Sequence, residues 1–234
     1  MLVGSKVDYD INDSYIPKDV KEDIDYQKSF NATLTIIVRD KDGNVIKRYK
    51  QKSHSPTANF IGLMLPLTYY TTTGSSFTLT TTSNSTISYS ASTVSPWYSI
   101  MYPNNNSNYP DYIINILVGS GSQSNSYSAY NLNAPISNGS GTGQLIYSTL
   151  STPTNITING NEAYFIISQS YNNQSGGTIN ISEVGIILNL YVGNPGNGNN
   201  SGGIVLTWYD VLSSPISLSN GQSVVIYYTF SVNA

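Results

Sequence analysis

The C-terminal segment 223–232 alternates apolar and polar side chains with a period of two. This is the pattern of a β-strand that buries one face, and its apolar positions are Val224, Ile226, Tyr228, Phe230 and Val232. Strand-like stretches recur at 112–118, 144–149, 163–169, 178–190 and 203–209. Loops rich in glycine and asparagine separate them, at 119–126, 137–143, 171–177 and 193–202. Many short strands with regular turn signals predict an all-β chain, an antiparallel β-sandwich of jelly-roll type.

A hairpin precedes these strands. Residues 33–39 alternate apolar and polar side chains, residues 40–44 supply turn chemistry, and residues 45–50 return as a second strand. Apolar runs of this length joined by aspartate, glycine and asparagine are typical of a β-hairpin.

One short helix is predicted over residues 56–65. Ser55 can cap it, and Pro56 suits its first position because that backbone nitrogen needs no hydrogen-bond partner. An apolar stripe follows on one face, and Pro66 is expected to end the helix.

Charge divides the chain into two parts. All ten lysines and arginines lie within the first 52 residues, together with nine of the thirteen acids. We interpret residues 1–28 as a charged N-terminal arm and residues 29–234 as the β-sandwich domain. Within the domain, 68–110 is a possible inserted polar hairpin or loop region. Ordinary domains carry about 25% charged residues, so the body that follows Lys52, residues 53–234 without a single cation, indicates an exposed, non-cytosolic surface.

The residue types present narrow the possible chemistry. There is no cysteine and only one histidine, His54, which cannot build a typical zinc site. The carboxylates that follow Lys52 are Asp111, Glu162, Glu183 and Asp210. A glycosidase needs two facing carboxylates, and no local motif pairs any two of these four. We therefore predict a non-enzymatic protein without cofactor, metal or small-molecule substrate.

Two further observations concern partners. A net charge of −3 argues against direct nucleic-acid binding, which needs clustered cations. No stretch of 18 apolar residues occurs, so no transmembrane segment is expected. Because only four carboxylates and one histidine follow Lys52, we also expect folding of the body to change little between about pH 7 and 3.

The segment around Glu183 carries the candidate structural site. Apolar residues occupy odd positions before Glu183 and even positions after it, and Gly185 lies beside the switch. A change of parity next to glycine indicates a β-bulge at which Glu183 accepts hydrogen bonds. Gly119 and Gly121 lie in a short glycine-serine segment. Neither the lysine nor the helix start of a phosphate-binding loop follows them, so we interpret this segment as a turn.

Four segments together resemble a known group of proteins. They are LTIIVRDKDGNVIKRYKQKSHSPTANFIGLM, IINILVGSGSQSNSYSAYNLNAPISNGSGTGQLIYS, GGTINISEVGIILNL and WYDVLSSPISLSNGQSVVIYYTFSV. Their order resembles that of small β-sandwich virion structural proteins of crenarchaeal viruses and tailed phages, found as tail, nozzle or turret components. The matching positions are Gly119, Gly121, Tyr130, Leu132, Pro135, Ile136, Glu183, Gly185, Pro215, Ile216, Gly221, Tyr228, Phe230 and Val232.

The resemblance implies assembly. The chain would be a structural subunit of a virus particle, forming homo-oligomers and contacting other virion proteins. It would assemble in the host cytoplasm and be exposed on the particle. The arm would reach a neighbouring subunit or the particle interior, and the twenty tyrosines would suit subunit interfaces.

Two alternatives use the same architecture. A cellular surface filament or adhesin subunit could assemble by strand donation, although the first residues contain no apolar leader for export. A glycan-binding β-sandwich is the other alternative, and it rests on the aromatic content and the fold class.

Overall fold

A computed structural model describes residues 30–53, 56–68, 76–90, 114–121, 124, 126–153, 155–192 and 201–233. The predicted arm at 1–28 lies outside these residues, as do His54, Asp111 and much of the polar region 68–110.

The described residues form strands and one helix. In chain order these are β1 (Phe30–Arg39), β2 (Val45–Lys52), α1 (Ala58–Thr68), β3 (Ser76–Thr80), β4 (Thr86–Ser90), β5 (Ile114–Gly119), β6 (Ile146–Tyr147), β7 (Thr157–Asn159), β8 (Glu162–Asn172), β9 (Ile179–Val192), β10 (Ser201–Leu218) and β11 (Ser223–Asn233).

All strand pairs between these elements are antiparallel. The larger sheet has the order β2-β1-β11-β8-β6, with β7 also paired to β8, and the smaller sheet has the order β10-β9-β5. A separate hairpin, β3-β4, lies within the polar region 68–110 and packs Leu79 and Ile87 against Val205 of β10. The predicted all-β class with one short helix is confirmed.

The two sheets share one apolar core. Leu34 and Ile36 of β1 and Tyr228 of β11 meet Ile116 of β5 and Trp208 of β10 in a single cluster of buried residues. Every second residue of a strand points to the same face, so the predicted alternation supplies this core directly. Each fully buried aliphatic side chain contributes about 1.5–3 kcal/mol.

The helix differs from its prediction at both ends. It begins at Ala58. The two residues before it are bound to β10 instead: Pro56 forms an antiparallel β-bridge with Trp208, and the backbone N–H of Thr57 donates to the Thr207 carbonyl at 3.0 Å. The Thr57 carbonyl then accepts the first helical bond, from Phe60 at 3.0 Å. Pro66 lies inside the last turn, where its missing N–H costs only one hydrogen bond near a fraying end.

Two strands differ most in extent from their predictions, and one strand was not predicted. The stretch 144–149 keeps only β6, and β7 was not predicted. The stretch 203–209 is part of the longer β10, which continues through Pro215. Serine and proline at 213–215 resemble a turn signal, but β10 is the edge strand of its sheet, where proline is tolerated.

Candidate functional site

Glu183 is a buried carboxylate that holds a loop in place. It lies in β9 with no exposed surface. Its Oε1 accepts hydrogen bonds from the backbone N–H groups of Gly121 at 3.1 Å and Ala134 at 2.7 Å. Its Oε2 accepts from the N–H of Asn133 at 3.0 Å and from the Tyr209 hydroxyl at 2.9 Å. One side chain thus fixes both ends of the loop between residues 121 and 134.

Of the three glycines singled out in the sequence, Gly119 and Gly121 lie against this carboxylate, and Gly185 packs against β10. A Cβ on Gly119 would lie 2.7 Å from the Ala134 carbonyl oxygen, and one on Gly121 would lie 2.5 Å from Oε1 of Glu183. A Cβ on Gly185 would lie 2.7 Å from Leu206. At Gly119 and Gly121 a side chain would displace the Glu183 carboxylate or the backbone beside it, whereas at Gly185 it would first displace the end of the Leu206 side chain.

The pairing of β9 with β10 has two irregularities, and in both the extra residues lie on β10. Thr207 is passed over where Leu206 pairs with Ile187 and Trp208 with Ile186. Residues 212–215 are passed over opposite Ser182. Ile181 and Val184 nevertheless belong to the same core cluster. The residues of β9 that face the core therefore change from odd to even positions across Glu183.

Asp210 is a second buried carboxylate, on the core side of the smaller sheet. Its Oδ2 accepts from the Ser53 hydroxyl at 2.5 Å and from the Tyr228 hydroxyl at 2.9 Å. The indole N–H of Trp208 donates to Ser53. Burial raises the pKa of Tyr228 well above its usual value near 10, and Asp210 raises it further. The phenol therefore stays protonated and donates to the carboxylate.

In the sequence, Asp210 was identified only as one of four carboxylates after Lys52, and its buried position was not predicted. A signal was present, because Trp208 and Leu212 flank it at the same strand parity and both are buried. A carboxylate between two core positions must find donors inside the protein.

Glu183 and Asp210 do not face each other. Tyr209 donates to Glu183, and its neighbour Asp210 points to the opposite face of β10. Both carboxylates are fully buried, so each organises the fold around it. Within the described ranges no three histidine, aspartate or glutamate side chains group as a metal ion would need.

A polar groove lies beside the loop that Glu183 fixes. It has a volume of about 500 Å³ and lies between residues 126–133 and the turn that joins β3 to β4. Neutral serine, threonine and asparagine side chains line it, together with Tyr130. Thr81 organises the turn, because its Oγ1 accepts the N–H of Ser85 at 3.1 Å. The groove is therefore uncharged and built on ordered backbone.

One end of the larger sheet exposes apolar side chains. Phe30 pairs with Val232, Val232 with Ala163, and Ala163 with Ile158, so one row crosses β1, β11, β8 and β7. Directly paired residues share a face, and this is the face that forms the core further along. Phe30 is 49% exposed, Val232 45%, Ile158 77% and Ile156 67%. We call Phe30, Ile156, Ile158 and Val232 the apolar end.

Comparisons with known protein families, with curated proteins and with solved structures each found no match to this chain. Across the described residues, no helix has both the length and the apolar character needed to span a membrane.

Proposed function

We propose that this protein is a non-enzymatic structural subunit of a virus particle, a tail, nozzle or turret component, with a sandwich of jelly-roll type exposed on the virion. The observation that carries the assembly role is the apolar end, where the row that crosses β1, β11, β8 and β7 exposes Phe30, Val232 and Ile158. Contiguous exposed apolar surface marks sites of protein association. The viral placement is supported by the four sequence segments that resemble virion proteins.

The apolar end is suited to packing against another subunit. Phe30 is held in position by Phe230, with ring centroids 5.8 Å apart, and by Trp208 at 6.2 Å. The surface is therefore preformed, and little conformational entropy is lost when a second subunit covers it. Ile156 and Ile158 extend it at the β7 edge.

Replacing Ile156→Ser and Ile158→Ser together should weaken self-association. Each isoleucine that is covered in a contact contributes about 1.5–3 kcal/mol, so we expect the dissociation constant to rise at least about tenfold. Sedimentation velocity over a concentration series measures this effect. The matched control is Ile166→Ser, because Ile166 is 41% exposed and lies on the face of β8 opposite to that of Ala163. Equal effects of both changes would contradict the assignment of this surface.

The particle role is tested on virus particles themselves. We expect mass spectrometry of purified particles to find this chain in fixed proportion to the other virion proteins, and antibodies against it to label intact particles. Absence of the chain from purified particles would overturn the proposal.

The polar groove favours a second function, glycan binding. Its neutral hydroxyl and amide groups match the hydrogen-bonding groups of uncharged sugars, and Tyr130 offers a ring for stacking. The loop that carries Tyr130 is fixed by Glu183 through Asn133 and Ala134, which holds the groove in one shape.

Glycan binding is tested with Tyr130→Ala on an array of neutral glycans. We expect the full chain to bind a defined subset and the variant to bind about tenfold more weakly, since a stacked ring contributes about 1 kcal/mol or more. Tyr127→Ala is the matched control, because Tyr127 lies in the same loop but does not line the groove. No binding by the unaltered chain would exclude this second function.

A further inference from the structure

Strand β2 has an edge that can accept another strand. It is the terminal strand of the larger sheet, and in the described part of the chain its only strand partner is β1. The strand is firmly held, because the Tyr49 hydroxyl lies 2.6 Å from Ser213 Oγ and the Gln51 amide donates to the Val211 carbonyl at 3.2 Å. Edge strands of this kind bind extended segments through their backbone groups.

The outer face of β2 is basic. Arg48, Lys50 and Lys52 occupy alternate positions, so they lie on one face. They pair with Ile37, Thr35 and Thr33, which alternate with the core residues of β1. The hairpin 30–52 has six cations and two carboxylates in all. A strand added at this edge would meet positive charge at every second residue.

The N-terminal segment has the complementary pattern. Residues 1–29 contain seven acids and four cations. Between residues 7 and 12, Val7, Tyr9 and Ile11 alternate with Asp8 and Asp10. In an extended strand these two carboxylates would be about 6.6 Å apart along the chain, which is the spacing of alternate residues on β2.

We propose that residues 7–12 of a neighbouring copy add to the edge of β2, with Asp8 and Asp10 facing the cations of that strand. This rests on the proposed function, in which copies of the chain contact each other. The arm joins β1 at Phe30, which belongs to the apolar end, so it leaves the body beside the surface where a neighbour packs. Backbone hydrogen bonds hold the added strand, and the charges set its register.

The chain has no cysteine, so disulfide trapping can test this directly. Full-length Asp10→Cys is mixed with full-length Lys50→Cys, or with Arg48→Cys or Lys52→Cys to cover neighbouring registers, and the mixture is oxidised gently. Paired strand residues lie within disulfide range. We expect at least one β2 variant to link to Asp10→Cys about fivefold or more above the control, because docking raises the effective concentration of the two thiols.

The control mixture pairs Asp10→Cys with Asn161→Cys, an exposed turn position between β7 and β8. Links between copies no more frequent than in this control would overturn the inference. So would trapping confined to a chain that carries both Asp10→Cys and Lys50→Cys, since the arm would then bind its own body. Sedimentation in parallel separates the two proposals: oligomers without these links overturn only the arm contact, whereas a chain that stays monomeric removes the proposed function as well.

Discussion

Replacing Glu183→Ala should lower the free energy of unfolding by about 4 kcal/mol or more. The change removes the carboxylate that accepts the backbone N–H groups of Gly121, Asn133 and Ala134 and the Tyr209 hydroxyl. Two of these donors, the Gly121 N–H and the Tyr209 hydroxyl, are in buried hydrogen bonds, and each buried donor left without an acceptor costs about 1–3 kcal/mol; the Asn133 and Ala134 bonds are partly buried. Because whole domains are stable by about 5–15 kcal/mol, urea unfolding should show a large fall in the midpoint.

The Glu183→Gln variant tests the charge of this side chain separately from its shape. The amide keeps one oxygen but turns an NH₂ group toward donors, and the Asn133 N–H cannot reverse its role. We expect a loss of about 2 kcal/mol for this variant. Glu162→Gln makes the same chemical change at a half-buried position at the start of β8, where we expect less than about 0.5 kcal/mol. Equal stability of the Glu183→Gln and Glu162→Gln variants would show that the charge of Glu183 is not needed.

Alkaline conditions should unfold the protein steeply above about pH 10. Burial raises the pKa of Tyr171 well above its usual value near 10, and burial together with Asp210 does the same for Tyr228. The unfolded chain loses these protons near pH 10 while the folded chain keeps them, so the stabilisation is complete below that pH and is lost as the pH rises further. Two such groups give a slope of about 2.7 kcal/mol per pH unit, which urea unfolding between pH 9 and 11 measures.

Tyrosine-to-phenylalanine variants show which tyrosine causes this fall in stability with pH. Tyr171→Phe removes the hydroxyl that donates to the Ile116 carbonyl at 2.8 Å, so stability at neutral pH should fall by about 1 kcal/mol. Its alkaline slope should be about half that of the parent chain, because one titrating group is gone. Tyr227→Phe is the control, since Tyr227 lies on the other face of β11 and is only partly buried. A Tyr171→Phe slope equal to that of the parent would show that this phenol does not resist ionisation in the folded state.

The strand pattern of the core was predictable because it is a local property of the sequence. Residues 223–232 alternate with a period of two, and β11 buries Val224 and Ile226 as predicted. Val232 shares this parity but is 45% exposed, and it pairs with the exposed Phe30 in the apolar end. The first turn of α1 was misplaced because the N–H groups of Thr57 and Ala58 bond to remote residues, Thr207 and Tyr127.

The candidate site was predictable only in part. The parity switch marked Glu183 as a hydrogen-bond acceptor, but its donors come from a loop about 50–60 residues away. The count of carboxylates led to the expectation of weak acid dependence. That expectation stays a prediction.

The order of strands in the larger sheet has a consequence for synthesis. Strand β1 lies between β2 and β11, so its second neighbour leaves the ribosome long after β1 does. Until then the β1–β2 hairpin carries an apolar face and an open edge, and contacts this distant in sequence form slowly. The edge of β1 that β11 later covers therefore stays open while residues 53–222 are made.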